Sequence, residues 1–561
     1  MVLPVMDAQT LDPTVEVSRS YEGKLMEVHK PALVMSVPDS VFRFDLNFDY
    51  SVFESPYKGS YEFNPYVTSM RPAAVQDKPS VLYLRAGAGY TFHPVFDLVW
   101  SPLTSKSFAM DVYAMNRSYI GAYRAADLGL GSIYGNGAWK GKDLYSKVGT
   151  ELHWDWRKSR LDVGVGYCGI HRKSLDGSDN ALNAVDFKAR MMSKTDWPSH
   201  IRYDFGLDYR IARDIMSSSP SRSSLNEHDV NMNLRFGPAF RGMQSLYFDV
   251  AMMLASYSGH IATAISEVAV VPHYVFEHKR VKVDAGLRIA KLMRSDGYVQ
   301  MYKTREQVVY PDVRLDVEAI KDKMMLYFRV GGGNKVNTYS SLLESNHFIT
   351  MMSACGLYPL LDTTVERVSF ILGAEGRVSS MFRYDFRVGN VNYKNALLDA
   401  IWCKEDGGLL PGVGYAPYKK WFMALDWTLT ARSFRFDGEM LYNSVWGEDF
   451  TSEAASGLLR PAALKGDVAL KYEWKKRVSA EIDCSFATSR KAFVRAVPEN
   501  SEVLHAVVPG YADLGIEAEY IAGSRLSFWM RAGNLLNMPV MYAPLYAEKG
   551  VNFTLGVCLN M

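Results

Sequence analysis

No run of about 18 apolar residues occurs anywhere in the chain of 561 residues, so a transmembrane helix is excluded as the means of membrane attachment. Charge of one sign is not in excess either. The 63 Lys and Arg stand against 61 Asp and Glu, a net +2, and the basic footprint of a nucleic-acid binder is missing. Cysteine is scarce: Cys168, Cys355, Cys403, Cys484 and Cys558 are far apart, form no CxxC pair and have no histidines at ligand spacing. They read as unpaired packing residues, and no metal or other cofactor is expected. The phosphate-cradling GxxxxGK[ST], the HExxH metal site and the GxSxG nucleophile elbow are all lacking. Gly331-Gly332-Gly333-Asn334 reads as a flexible exit from a strand. The chain is therefore read as a non-enzyme.

What the sequence does have is a two-residue rhythm from Val81 to Met561. Its clearest instance is Val478, Ala480, Ile482, Cys484 and Phe486 interleaved with Ser479, Glu481, Asp483 and Ser485. A strand sends successive side chains to opposite faces, so one row suits lipid and the other water. About 22 such segments occur, tight turns alternating with long connections, and that combination predicts an all-β fold: a closed antiparallel transmembrane β-barrel over 81–561. The turns include Trp474-Lys475-Lys476-Arg477 and Glu277-His278-Lys279-Arg280. The long connections fall near 118–145, 293–306, 334–363, 391–420, 491–510 and 534–549. Tyr and Trp, 34 and 11 in number, suit interfacial girdles.

A barrel of this size encloses a lumen that something must occupy or gate. Residues 1–80 precede it as an extension rich in proline. Residues 1–8 look like the tail of a signal peptide, a disordered terminus being the alternative. The segment 42–52 alternates Phe42, Phe44, Leu46, Phe48 and Tyr50 with polar residues and is expected as a short strand in the lumen or the periplasm. Lumen-facing positions are assigned to Lys282, Asp284, Arg288, Asp312, Arg314, Asp316, Glu318, Asp513, Glu517, Glu519 and Arg531. Opposite charges on neighbouring strands support pairing, and this explains them better than catalysis does. Tyr119, Tyr123, Tyr134 and Trp139, in a glycine-rich outer loop, are candidate ligand-binding residues, with girdle or loop packing as the structural alternative.

The last strand places Phe553, Leu555, Val557, Leu559 and Met561 on one face, and Arg531-Ala532-Gly533-Asn534-Leu535-Leu536-Asn537 precedes the final loop. This arrangement resembles the C-terminal end of TonB-dependent receptor barrels, although Met561 replaces their usual terminal aromatic residue. The N-terminal part departs from that family: neither a folded plug nor a convincing TonB box is evident, Thr14-Val15-Glu16-Val17 being only a faint likeness. TonB contact is accordingly in doubt. The chain looks more like the plugless receptor-like barrels of Bacteroidota. The resemblance implies a Gram-negative outer membrane, contact with its lipids including lipopolysaccharide, and passage of a solute or nutrient. The alternative is a non-transporting scaffold that partners a lipoprotein or another envelope component.

Overall fold

A computed structural model describes residues 81–124, 128, 139–174, 177–194, 201–216, 224–238, 244–295, 307–349, 360–403, 409–446, 457–495 and 503–561. The expectations for residues 1–80, including the 42–52 strand and residues 14–17, lie outside the described residues, as do those for Tyr134 and Cys355.

Twenty-two strands form one sheet closed on itself. In chain order the first twelve are β1 (Leu82–Tyr90), β2 (Val95–Thr104), β3 (Phe108–Tyr123), β4 (Trp139–Asp155), β5 (Ser159–Lys173), β6 (Asp179–Ser193), β7 (Ile201–Met216), β8 (Ser224–Pro238), β9 (Gln244–Gly259), β10 (Thr263–His278), β11 (Val281–Arg294) and β12 (Gln307–Ile320). They continue as β13 (Met324–Val336), β14 (Thr363–Arg377), β15 (Phe382–Cys403), β16 (Leu409–Ala431), β17 (Phe434–Trp446), β18 (Leu464–Trp474) and β19 (Val478–Ala487). A separate hairpin, β20 (Arg490–Arg495) with β21 (Val503–Val508), stands outside the wall before β22 (Tyr511–Ile521), β23 (Leu526–Gly533) and β24 (Asn552–Asn560). Among the described residues one helix, α1 (Tyr339–Ser345), lies in the connection from β13 to β14.

Every wall strand pairs antiparallel with its neighbours, and β24 returns to β1 with Tyr83 opposite Asn560 and Tyr90 opposite Phe553. Closure leaves no open edge, the condition for strands to span hydrocarbon. The alternating rows sort as the rhythm implies. Ile482 is 46% exposed and Leu555 64%, whereas Asp97 and Asp214 are fully buried. Exposed Trp154, Trp156, Phe434, Trp474 and Tyr520 sit beside the short turns, as an interfacial girdle would.

The Arg531–Asn537 stretch has a local structural task. Asn534 and Asn537 take left-handed backbone angles, φ 45° and 52°, which asparagine tolerates better than most residues. The Asn534 amide nitrogen donates to the Met538 and Lys549 carbonyls at 2.8 and 3.0 Å, its oxygen accepts from Met538 N–H, and its own N–H donates to Asp513. One side chain thus stitches both ends of the final outer connection.

Candidate functional site

The 337–362 connection does not stand away from the barrel; its described residues fold into the lumen. Thr338 caps α1, its hydroxyl accepting from Ser341 N–H at 3.3 Å. Leu342 and Leu343 then face a patch of inward side chains that is apolar on this half of the wall: Ile170 on β5, Leu182 on β6, Ala212 on β7, Leu225 on β8 and Tyr257 on β9. Burying two leucines favours docking by about 1.5–3 kcal/mol each.

Polar contacts fix the angle of the helix. Arg172 and Asp214, both fully buried, form an ion pair at 2.9 Å. The Tyr339 hydroxyl donates to Asp214 at 2.6 Å, and Arg172 also donates to the Ile349 carbonyl at 3.2 Å. Ser340 N–H donates to Glu227 at 3.1 Å. Glu344 bridges Lys147 at 3.0 Å and Arg210 at 2.7 Å, and Arg210 also binds Asp186 on β6. Burial works to raise the Glu344 carboxyl, but Lys147 and Arg210 outweigh it and hold the group at about 2. His347 closes the series against Asp143 at 2.8 Å. One short segment therefore touches β4, β5, β7, β8 and β9, across the lumen from its own attachment at β13 and β14.

Above it, the β15–β16 hairpin continues past the wall and is buried on both faces. Leu397, Val413 and Tyr415 join the core around α1, while Ile401 and Leu409 join a second core with Leu459, Val508 and Met541. Residues 391–420, expected as a loop, are thus mostly strand, and residues 491–510 contain the β20–β21 hairpin.

Tyr119, Tyr123 and Trp139, which the sequence put forward for ligand contact, come together at the ends of β3 and β4. Tyr123 stacks on Trp139 at 4.6 Å and meets Phe348 of the inward connection and Tyr546 of the final one edge-on, and Phe348 stacks on Tyr546 at 3.7 Å. Tyr119 and Tyr123 are 2% and 0% exposed, so their faces are occupied by each other and by these two connections.

The ionisable residues assigned to the lumen lie on the inward rows and are largely paired. Arg288 meets Glu267 at 2.8 Å, Asp284 meets His273 at 2.9 Å and Arg314 meets Asp316 at 2.8 Å. Arg531 meets Asp483 and Glu517 meets Arg85, both at 2.7 Å. Lys282 and Asp316 are opposite each other in the β11–β12 register, as are Gly286 and Asp312. Glu318 accepts from Asp322 N–H, Glu519 from the Ser527 hydroxyl and Asp513 from Asn534 N–H.

Two spaces flank the docked connection. Toward the turns lies a cavity of about 990 Å³ whose walls carry Glu318, Glu375, Asp385, Asp426, Glu439 and Asp483, with Arg531 among them. On the other side a pocket of about 180 Å³ lies between Glu344, Asn346 and His347 of the connection and Lys420, Asn443 and Lys465 of the wall. Sequence reading missed α1 and its partners. The available signal was the loss of a polar inward row at the outer ends of β5 to β9, where Ile170, Leu182 and Leu225 break the wet side of the rhythm.

No protein-family model matches this chain, and no curated protein matches it. Solved structures do share its fold. The copper transporter OprC is 12% identical with a TM-score of 0.60, over 88% of this chain and 82% of that one. The FrpB iron transporter from Neisseria meningitidis (F5-1 variant) is 9% identical with a TM-score of 0.62, over 87% and 83%. The ferric-catecholate import receptor Fiu from K12 E. coli, in its closed form, is 8% identical with a TM-score of 0.61, also over 87% and 83%. At these identities the likeness is one of architecture alone, that of a large closed β-barrel.

Proposed function

We propose that this chain is a gated solute conduit of the Gram-negative outer membrane, its own β13–β14 connection serving as the gate. The observation that carries this reading is the buried set Arg172–Asp214–Tyr339 together with the half-buried set Lys147–Glu344–Arg210, which join a short helical segment to the far wall. Ion pairs hold one geometry firmly yet can be exchanged for water, so the segment has two tenable positions. In this reading residues 1–80, which lie outside the described residues, are a second candidate for filling the lumen. Lipopolysaccharide and other outer-membrane lipids surround the wall.

A scaffold role with a lipoprotein or envelope partner is favoured by one feature, the apolar core around α1. Conductance in planar bilayers separates the two readings. The full chain is expected to conduct little. Replacing residues 339–349 by a Gly-Ser linker and deleting residues 1–78 together should produce a large, steady conductance. A doubly altered barrel that is inserted and folded yet still does not conduct refutes passage and leaves the scaffold.

A further inference from the structure

Both chain ends of the barrel lie at the rim of short turns, which in outer-membrane barrels faces the periplasm. Eight of these turns are described over their whole length: 105–107, 156–158, 279–280, 321–323, 378–381, 432–433, 475–477 and 522–525. Seven contain lysine or arginine, and Asp322 is the only acid in any of the eight. For a chain of net charge +2 this is a strong local excess of one sign.

The backbone adds an independent observation. Tight hairpin turns need left-handed angles, for which glycine and asparagine are the low-strain choices. Here Lys279, Arg432, Lys475 and Lys476 occupy such angles, with φ of 52°, 36°, 50° and 55°. Long cationic side chains at positions that disfavour them mark a place where local comfort gives way to a function.

We propose that these turns form a cationic collar that binds the phosphates of phospholipid headgroups in the inner leaflet. Depth decides between a lipid and a soluble acidic partner. The cations are next in sequence to outward, exposed aromatic residues of the girdle: Arg157 follows Trp156 and Lys475 follows Trp474, with the Lys475 ammonium 5.0 Å from the Trp474 ring. Girdle aromatics sit at the headgroup level, so lysines and arginines beside them reach phosphate with their stems along the acyl boundary. Anionic phospholipids would be preferred over zwitterionic ones, and salt would weaken the preference.

The test is electron spin resonance of the full chain reconstituted in phosphatidylcholine bilayers containing spin-labelled phosphatidylglycerol or spin-labelled phosphatidylcholine. The motionally restricted fraction is expected to favour phosphatidylglycerol by about threefold or more at low salt, falling toward parity in molar salt. The variant Lys475→Glu/Lys476→Glu/Arg477→Glu should lose most of the preference while keeping its β circular-dichroism spectrum and heat-modifiable gel migration. Should it misfold, Arg157→Gln/Lys158→Gln removes charge from one turn only and should reduce the preference measurably. Equal restriction of the two lipids in the wild-type chain, or a preference unchanged in folded variants, overturns the collar. An acidic periplasmic protein that the substitutions release without changing lipid selectivity would overturn it too.

Discussion

At the scale of single residues, the Arg172–Asp214 pair is the most demanding contact, because neither charge retains any solvent. Removing one member of such a pair leaves the other charge buried alone, at a cost of about 3–5 kcal/mol. Arg172→Gln should therefore release the inward connection, read as proteolytic nicking near residues 337–349 and as bursts of conductance. Arg172→Met with Asp214→Leu should restore most of the protection, since it deletes both charges. Asn534→Ala is expected to loosen the final connection without touching the wall, measured as faster amide exchange at Met538, whose N–H donates to the Asn534 side chain, with unchanged migration of the folded barrel.

How much of this was legible depends on which side of the wall a residue faces. Val478, Ile482 and Phe486 were readable as outward residues because lipid asks only for an apolar row. Ile170 and Leu225 were not readable as a seat for α1, since their partners Leu342 and Leu343 lie more than a hundred residues away.

At the scale of elements, α1 couples docking to proton concentration through Glu344. Its carboxyl sits at about 2, against 4.5 when unperturbed, so the charged form is the one the docked position favours. The contribution is complete above pH 4.5 and is lost as pH falls toward 2. Open probability should rise over that window, and Glu344→Gln should be more open at neutral pH and flat across it. Lys147, Arg210 and the Asp186 that shares Arg210 are the charged groups that set the effect. The β15–β16 hairpin shows why long connections were the hardest part to read. Leu397, Leu398, Ile401, Leu409 and Leu410 are apolar without alternation because both faces are buried, and a strand buried on both faces loses the rhythm that reveals it. The wall strands, wet on one side and oily on the other, kept theirs.

At the scale of the molecule, closure through β24 and β1 makes the outward surface one apolar band. A cation at its middle costs about 2–4 kcal/mol in such barrels. Ile482→Arg should accordingly lower the temperature of heat-modifiable unfolding, whereas Asp483→Asn, one residue on and facing the lumen, should leave the wall intact and alter only its contact with Arg531. The total of 22 wall strands was recoverable from rhythm and turns alone, because both are set by local chemistry repeated many times. The contents of the lumen follow from contacts between distant segments and needed coordinates.

The overlong hairpin has a kinetic consequence. It contributes Leu397 and Tyr415 to the core around α1, Ile401 and Leu409 to the core with Leu459 and Met541, and Leu398 and Trp402 to a third cluster with Tyr393 and Tyr418. A keystone shared by three arches cannot leave one of them standing. Deuterium uptake should therefore appear in α1, the hairpin tip and residues 540–547 at a common rate, as one sub-global opening, while the barrel beneath stays protected.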